Sequence, residues 1–187
     1  MTRIVAGQAG GRRIAVPRTG TRPTSERVRE ALFARLEHYG MIEDARVLDL
    51  CAGSGALGLE AASRGAADVT LVDCARAATK VCEANIRALG LPEVRTRTAG
   101  AAAFLAGPAG RPVDLVLIDP PYEVDEAGLT AMLRPLARDR DPWLASGAVV
   151  VIERRTRSPE PIWPAGLRRL SERTYGETRV WFAEPDA

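Results

Sequence analysis

Apolar positions along the chain follow two different rhythms. In RPTSERVREALFARLEHYG the spacing is helical: Val28, Leu32, Leu36 and Tyr39 share one face. Thr24 or Ser25 is placed to cap that helix, Glu26 sits in its first turn, and Gly40 can end it. From Arg46 onward the apolar residues come instead in short, nearly continuous runs. RVLDL (46–50), DVTLVD (68–73), EVRTRT (93–98), PVDLVLID (112–119) and GAVVVIE (147–153) predict five strands. Such runs belong to strands covered on both faces, and so to a mostly parallel sheet. Helical stretches alternate with them: one up to Arg64, one in ARAATKVCEANIRALG with Ala78, Cys82, Ile86 and Leu89 on one stripe, and one around 126–139. LRRLSERTYG and TRVWFAE predict a closing hairpin, which makes seven strands. Ahead of them, residues 2–6 and 12–16 are expected to pair around Gly7, Gly10 and Gly11. The fold class is α/β, with helices on both faces of the sheet. The chain divides into a hairpin arm (1–22) and a body (23–187).

Composition narrows the picture. At 187 residues and 46% apolar content, one globular domain with a short extension is expected. No apolar run approaches the roughly 18 residues of a membrane helix. The start MTRIVAGQAGGRRI lacks the apolar core of a signal peptide, so a cytoplasmic location and no membrane partner are expected. Cys51, Cys74 and Cys82 have no metal-type spacing, and His38 is the single histidine, so no metal centre is expected. Cys51 reads as a small apolar filler. The net charge of +2 hides an asymmetry: residues 1–35 carry eight arginines against Glu26 and Glu30, which leaves −4 for the rest. A basic arm on a mildly acidic body fits a polyanionic partner, with Arg3, Arg12, Arg13, Arg18 and Arg22 as phosphate contacts.

Ligands on parallel sheets bind at the carboxyl ends of the strands. The chemically notable residues fall there. VLDLCAGSGALGLEA follows a strand, opens a helix, and places Gly53, Gly55 and Gly58 in the G-x-G-x-x-G pattern. Asp73 ends the next strand, where a carboxylate can accept from both hydroxyls of a ribose. Asp49, four residues before Gly53, is unhelpful beside a pyrophosphate but suits an ammonium group. S-adenosylmethionine has an ammonium, a sulfonium and a ribose and no phosphate, so it fits better than a nicotinamide dinucleotide. Asp49 to Gly55 resembles the first signature of class I S-adenosylmethionine-dependent methyltransferases, and Asp73 resembles their ribose-binding acid. That resemblance implies a Rossmann-like class I methyltransferase fold. The stretch RTAGAAAF lacks the acid that often meets the cofactor's adenine, so backbone and apolar groups are expected to hold that ring.

After the fourth strand comes Asp119-Pro120-Pro121-Tyr122, which resembles the [DNS]-P-P-[YFW] signature of enzymes that methylate exocyclic or amide nitrogen. An exocyclic base amine is a poor nucleophile because its lone pair is delocalised into the ring. Two acceptors aimed at its N–H groups free that lone pair, and the Asp119 carboxylate and Pro120 carbonyl can be those acceptors. Prolines fix φ and bring no competing N–H. Tyr122 can stack on the base. Adenine N6, cytosine N4, guanine N2 and a glutamine amide all suit this chemistry.

RIVAGQAGGRRIAVP followed by RPTSERVREALFARL, together with the glycine loop, Asp-Pro-Pro-Tyr and the Tyr-Gly turn at 175–176, resembles the bacterial family that methylates guanine N2 in 16S ribosomal RNA. The resemblance spans nearly the whole chain. It implies a 16S RNA substrate within a 30S subunit or an assembly intermediate, and a monomeric enzyme. Thr24, Ser25 and Arg27 are either a lid over the cofactor or an ordinary helix start. The alternatives are an adenine-N6 methyltransferase acting on DNA or RNA and an RNA-binding assembly factor without catalysis.

Overall fold

A computed structural model describes residues 2–17 and 25–186. The chain runs β1 (Thr2–Arg3), β2 (Arg13–Ile14), α1 (Glu26–His38), β3 (Arg46–Leu50), α2 (Ala56–Ser63), β4 (Asp68–Asp73), α3 (Arg76–Leu89), β5 (Val94–Thr98), α4 (Ala101–Leu105), β6 (Val113–Ile118), α5 (Glu126–Leu136), β7 (Leu144–Arg155), β8 (Leu167–Tyr175) and β9 (Thr178–Pro185). Seven strands form one sheet in the order β5-β4-β3-β6-β7-β9-β8. The first five are parallel, and β9 and β8 close the edge antiparallel. β1 and β2 form a separate antiparallel pair.

Side-chain alternation explains the layers. In β3, Val47 joins a core with Leu32 and Phe33 of α1, Leu59 of α2 and Cys82 of α3. Its neighbours Leu48 and Leu50 point the other way, against Leu105 of α4 and Leu129 and Leu133 of α5. The near-continuous apolar runs are therefore strands buried on both faces, as their pattern predicts.

Local departures have local causes. Tyr39 lies just past α1 at its C-cap and is 59% exposed, so it does not extend the Val28–Leu32–Leu36 stripe. Arg35 covers its ring at 5.1 Å instead. α5 stops at Leu136, short of the expected 139, because Pro135 has no N–H to give the carbonyl four residues back. α4 is five residues long, too short to show a period in the sequence.

The amino-terminal hairpin is docked tightly. Ile4 and Ile14 are buried in the α1–α3 core. Glu60 of α2 accepts from the N–H groups of Val5 (2.8 Å) and Ala6 (3.0 Å), and Ser63 receives Ala9 N–H at 2.9 Å. A Cβ on Gly7 would lie 1.8 Å from the Ser63 carbonyl oxygen, so only glycine passes there. Glu60 also meets the fully buried Arg29 guanidinium at 3.4 Å and Arg64 at 2.8 Å. Arg29 in turn donates to Thr2 Oγ1 and the Arg3 carbonyl. The one charge on the otherwise small and apolar α2 thus fastens the hairpin to the glycine-loop helix.

Candidate active site at the carboxyl edge of the sheet

Register brings the expected residues together. Leu50, Val72, Ile118 and Ile152 lie side by side in β3, β4, β6 and β7. One step further along each strand come Cys51, Asp73, Asp119 and Glu153. Four distant segments therefore meet at one edge of the sheet, and Asp49 lies one turn of the pleat below.

The glycine loop is shaped by backbone constraints. Gly53 and Gly55 have φ of +58° and +80°, the left-handed region that glycine enters without cost. Gly55 is the N-cap of α2. Gly58 serves packing: a Cβ there would meet Leu71 Cδ2 at 2.2 Å, so α2 lies directly on the sheet. Cys51 also has a positive φ of 65°, a strained value for a residue with a side chain. Its thiol, half-buried against the α4–α5 core, is pushed up to about 12 by burial and then by the nearby Asp49, Asp73 and Asp119. That suits an inert filler, and burial raises the Cys82 thiol to about 12 as well.

Both cofactor-side carboxylates are held by backbone donors. Asp73 accepts from Gly53 N–H and Ala75 N–H, each at 2.8 Å, one on each oxygen. A carboxylate has about four lone-pair sites, so its outer lone pairs stay open to hydroxyl donors. Asp49 is 1% exposed and accepts Gly58 N–H at 2.9 Å. Burial raises it from 3.8 to about 8; the Gly58 hydrogen bond opposes this, and Asp119 and Asp73 add to it. Among the described residues no lysine or arginine lies within 4.0 Å of Asp49 or Asp73.

The Asp119–Tyr122 segment is built differently. Asp119 is half-buried, Pro120 buried and Tyr122 58% exposed. Val124 N–H closes a turn on the Pro121 carbonyl at 3.0 Å. Of the two prolines, Pro120 is therefore the one whose carbonyl has no hydrogen bond among the described residues. Strand β7 holds the loop from the side. Arg154 donates to the Val124 carbonyl (2.9 Å) and Glu126 (3.0 Å), and the Arg155 guanidinium lies 3.6 Å from the centre of the Tyr122 ring.

The basic arm is only partly as expected. Arg3 pairs with Glu26 at 2.8 Å. Arg12, itself exposed, donates to the carbonyls of Leu89 (2.8 Å) and Ala88, at the carboxyl end of α3. Arg13 is exposed. Arg18, Arg22 and Thr24 lie outside the described residues. Ser25 caps α1 by accepting Val28 N–H at 3.2 Å, and Arg27 is exposed. Sequence reasoning missed Asn85 of α3. Its buried amide takes Ala15 N–H (2.9 Å) and donates to the carbonyls of Ala15 (3.0 Å) and Ser54 (3.0 Å), so it ties the arm to the glycine loop. A polar residue beside the Cys82–Ile86–Leu89 stripe was the available signal.

At the opposite end of the strands lies a shallow polar cleft of about 620 Å³, lined by Arg46, Asp68, Arg95 and Asp114. Four of its charges pair with one another, Arg46 with Asp114 and Arg95 with Asp68, while Asp44, Glu93 and Arg111 also line it.

Comparisons with known proteins identify the family. The chain is 39% identical over 176 residues to ribosomal RNA small subunit methyltransferase D of Escherichia coli strain K12, covering 94% of this chain and 85% of that protein. It is 33% identical over 184 residues to the putative rRNA methyltransferase YlbH of Bacillus subtilis strain 168, covering 95% of this chain and 96% of that one. The solved structure of the putative methyltransferase yhhF from Escherichia coli superposes with a TM-score of 0.85 at 34% identity, over 99% of this chain and 98% of that one. A family model described as Conserved hypothetical protein 95 matches residues 2–184. The seven-stranded sheet is thus a Rossmann-like class I methyltransferase fold, and the chain belongs to that family of methyltransferases.

Proposed function

We propose that this chain transfers a methyl group from S-adenosylmethionine to the exocyclic N2 of a guanine in 16S ribosomal RNA, within a 30S subunit or an assembly intermediate. One observation carries the reading. Register sets Asp73 and Asp119 at the ends of strands that flank β3, with buried Asp49 between and below them. A site for a cationic, ribose-bearing donor thus adjoins an amine-accepting loop. The names of the relatives favour ribosomal RNA of the small subunit over DNA.

The residues present fit the cofactor. Asp49 would face its ammonium, the outer lone pairs of Asp73 its ribose hydroxyls, and the Gly53–Gly55 backbone would pass close to it. When bound, S-adenosylmethionine supplies a methyl electrophile on a charged sulfonium. The rest falls to the chain. Asp119 and the Pro120 carbonyl accept the two N–H groups of the target amine and turn its lone pair toward the methyl group. Pro121 fixes the backbone between Pro120 and Tyr122, and Tyr122 stacks on the base, a contact worth about 1–3 kcal/mol. Methylation would exchange the carbon–sulfur bond of the donor for a carbon–nitrogen bond and leave a neutral thioether, and Asp119 would be the group to receive the proton the nitrogen loses. Alignment by these groups replaces a bimolecular encounter with a local one.

A base amine inside a stack is out of reach, so the nucleotide must be unpaired or flipped out. Exposed Arg13, with Arg3, is placed to meet phosphates. Arg18 and Arg22 extend the same basic segment, whereas Arg12 is better suited to fastening the arm to α3. Ser25 caps the start of α1, where Arg27 faces solvent. We infer a cytoplasmic monomer with the arm (1–22) as an extension of the body (23–187).

The test is transfer of tritiated methyl from S-adenosylmethionine onto unmethylated 30S particles and naked 16S RNA, followed by nucleoside analysis. Label in N2-methylguanosine is the expected result. Label in N6-methyladenosine, in protein, or nowhere overturns the reading.

A further inference from the structure

An RNA substrate brings phosphates to this edge of the sheet, and phosphates call for guanidinium or ammonium groups beside the site. The described part of the amino-terminal arm, residues 2–17, docks against α2 and α3. The end of β7 stands beside Tyr122. Arg155 has the closest cation–ring contact among the described residues, 3.6 Å above the Tyr122 ring, whereas the others lie between 5.1 and 5.8 Å. Tyr122 nevertheless remains 58% exposed, so the guanidinium leaves much of the side chain open to a ligand. Arg155 is itself exposed, and among the described residues no carboxylate lies within 4.0 Å of it. Its neighbour Arg154 is committed to Val124 and Glu126.

Register widens this rim. Arg155 pairs with Thr178, and Thr178 with Tyr175, so the β8–β9 turn comes to the same edge of the sheet. Exposed Arg157 and Arg173 also lack a carboxylate partner there among the described residues.

We propose that Arg155 is a substrate-binding residue: it holds one face of Tyr122, leaves the other for the target base, and meets the phosphate of the single-stranded RNA that carries that base. The proposal rests on the reading of this edge as an RNA amine-methylation site. A planar guanidinium suits both tasks, because it stacks on an aromatic face and presents paired donors to a phosphate. A lysine can do the second task but not the first.

The test compares wild type, Arg155→Ala, Arg155→Gln and Arg155→Lys in steady-state methylation of unmethylated 30S particles across salt concentrations, with S-adenosylmethionine affinity measured by calorimetry. For Arg155→Ala and Arg155→Gln the KM for particles is expected to rise about tenfold. Their log–log salt dependence should become shallower by about 0.7, the share of one phosphate contact on single-stranded nucleic acid. Arg155→Lys should keep the salt slope and still bind more weakly than wild type. Cofactor affinity should not change in any variant. Unchanged KM and salt slope, or a loss confined to kcat or to cofactor binding, overturns the proposal. A wild type inactive on all particles would instead sink the RNA methylation reading, so the two failures are distinguishable.

Discussion

The two halves of the site are held in different ways. On the donor side, Gly53, Ala75 and Gly58 aim their N–H groups at Asp73 and Asp49, all within the β3–α2 and β4–α3 segments. On the acceptor side, Tyr122 and the turn after it are steadied by Arg154 and Arg155, which arrive from a strand some thirty residues later. Backbone donors fixed by short loops make a rigid, preformed cradle. Long side chains on an exposed aromatic leave a surface that can adjust to a large substrate. Under the proposed function, the first half would take a small cofactor and the second an RNA that must be bent or opened to fit.

The halves can be separated by mutation. The largest effect is expected for Asp119→Ala, which removes an acceptor from the target amine: methyl transfer should fall about 10²- to 10⁴-fold. Single-turnover assays with labelled cofactor read this directly. Next comes Glu60→Ala, which strands the buried Arg29 guanidinium. Breaking a buried pair from one side costs about 3–5 kcal/mol, measurable by urea unfolding, and Glu60→Gln should cost less because it still accepts hydrogen bonds. Burial already shifts Arg29 downward, with Glu60 the main opposing influence. Tyr122→Ala should weaken particle binding by about 1–3 kcal/mol and leave cofactor binding intact.

The smallest effect is one of pH. Burial holds Asp49 at about 8, so without ligand the folded state carries a proton there that the unfolded chain, at 3.8, releases. Its contribution to stability is complete below about 4 and is lost as pH rises through about 8. A cationic ligand favours the ionised form. Between pH 6 and 7.5 cofactor affinity should therefore rise with pH, by up to about tenfold per unit, with proton release visible in calorimetry across buffers of different ionisation enthalpy. Affinity that falls with pH would remove Asp49 from the ammonium site.

The same contrast decides what could be read from sequence. The donor half is local: a strand, three glycines and an acid at the end of the next strand, all within 25 residues, so spacing alone announces Asp49 to Asp73. The Asp119-Pro120-Pro121-Tyr122 signature was equally legible as a word. Its support was not. Nothing near Arg154 or Arg155 says that they reach back to Val124 and Tyr122, because that contact exists only once β7 pairs with β6. The contacts of Arg12 with the Leu89 and Ala88 carbonyls were hidden for the same reason, since charge counting does not show which arginines also satisfy the end of a helix. Glu60 gave a usable warning, a carboxylate amid ALGLEAAS that demands a buried partner. Tyr39 kept the helical spacing but fell one residue past the helix.

The division of labour between the halves is tested most directly by calorimetry of S-adenosylmethionine with Asp119→Ala beside Asp73→Ala, each followed by the transfer assay. The expected result is that Asp119→Ala binds the cofactor as wild type does and transfers almost nothing, while Asp73→Ala loses the cofactor itself. Loss of cofactor binding in Asp119→Ala, or full transfer by it, would contradict a donor cradle and an acceptor loop built as separate parts.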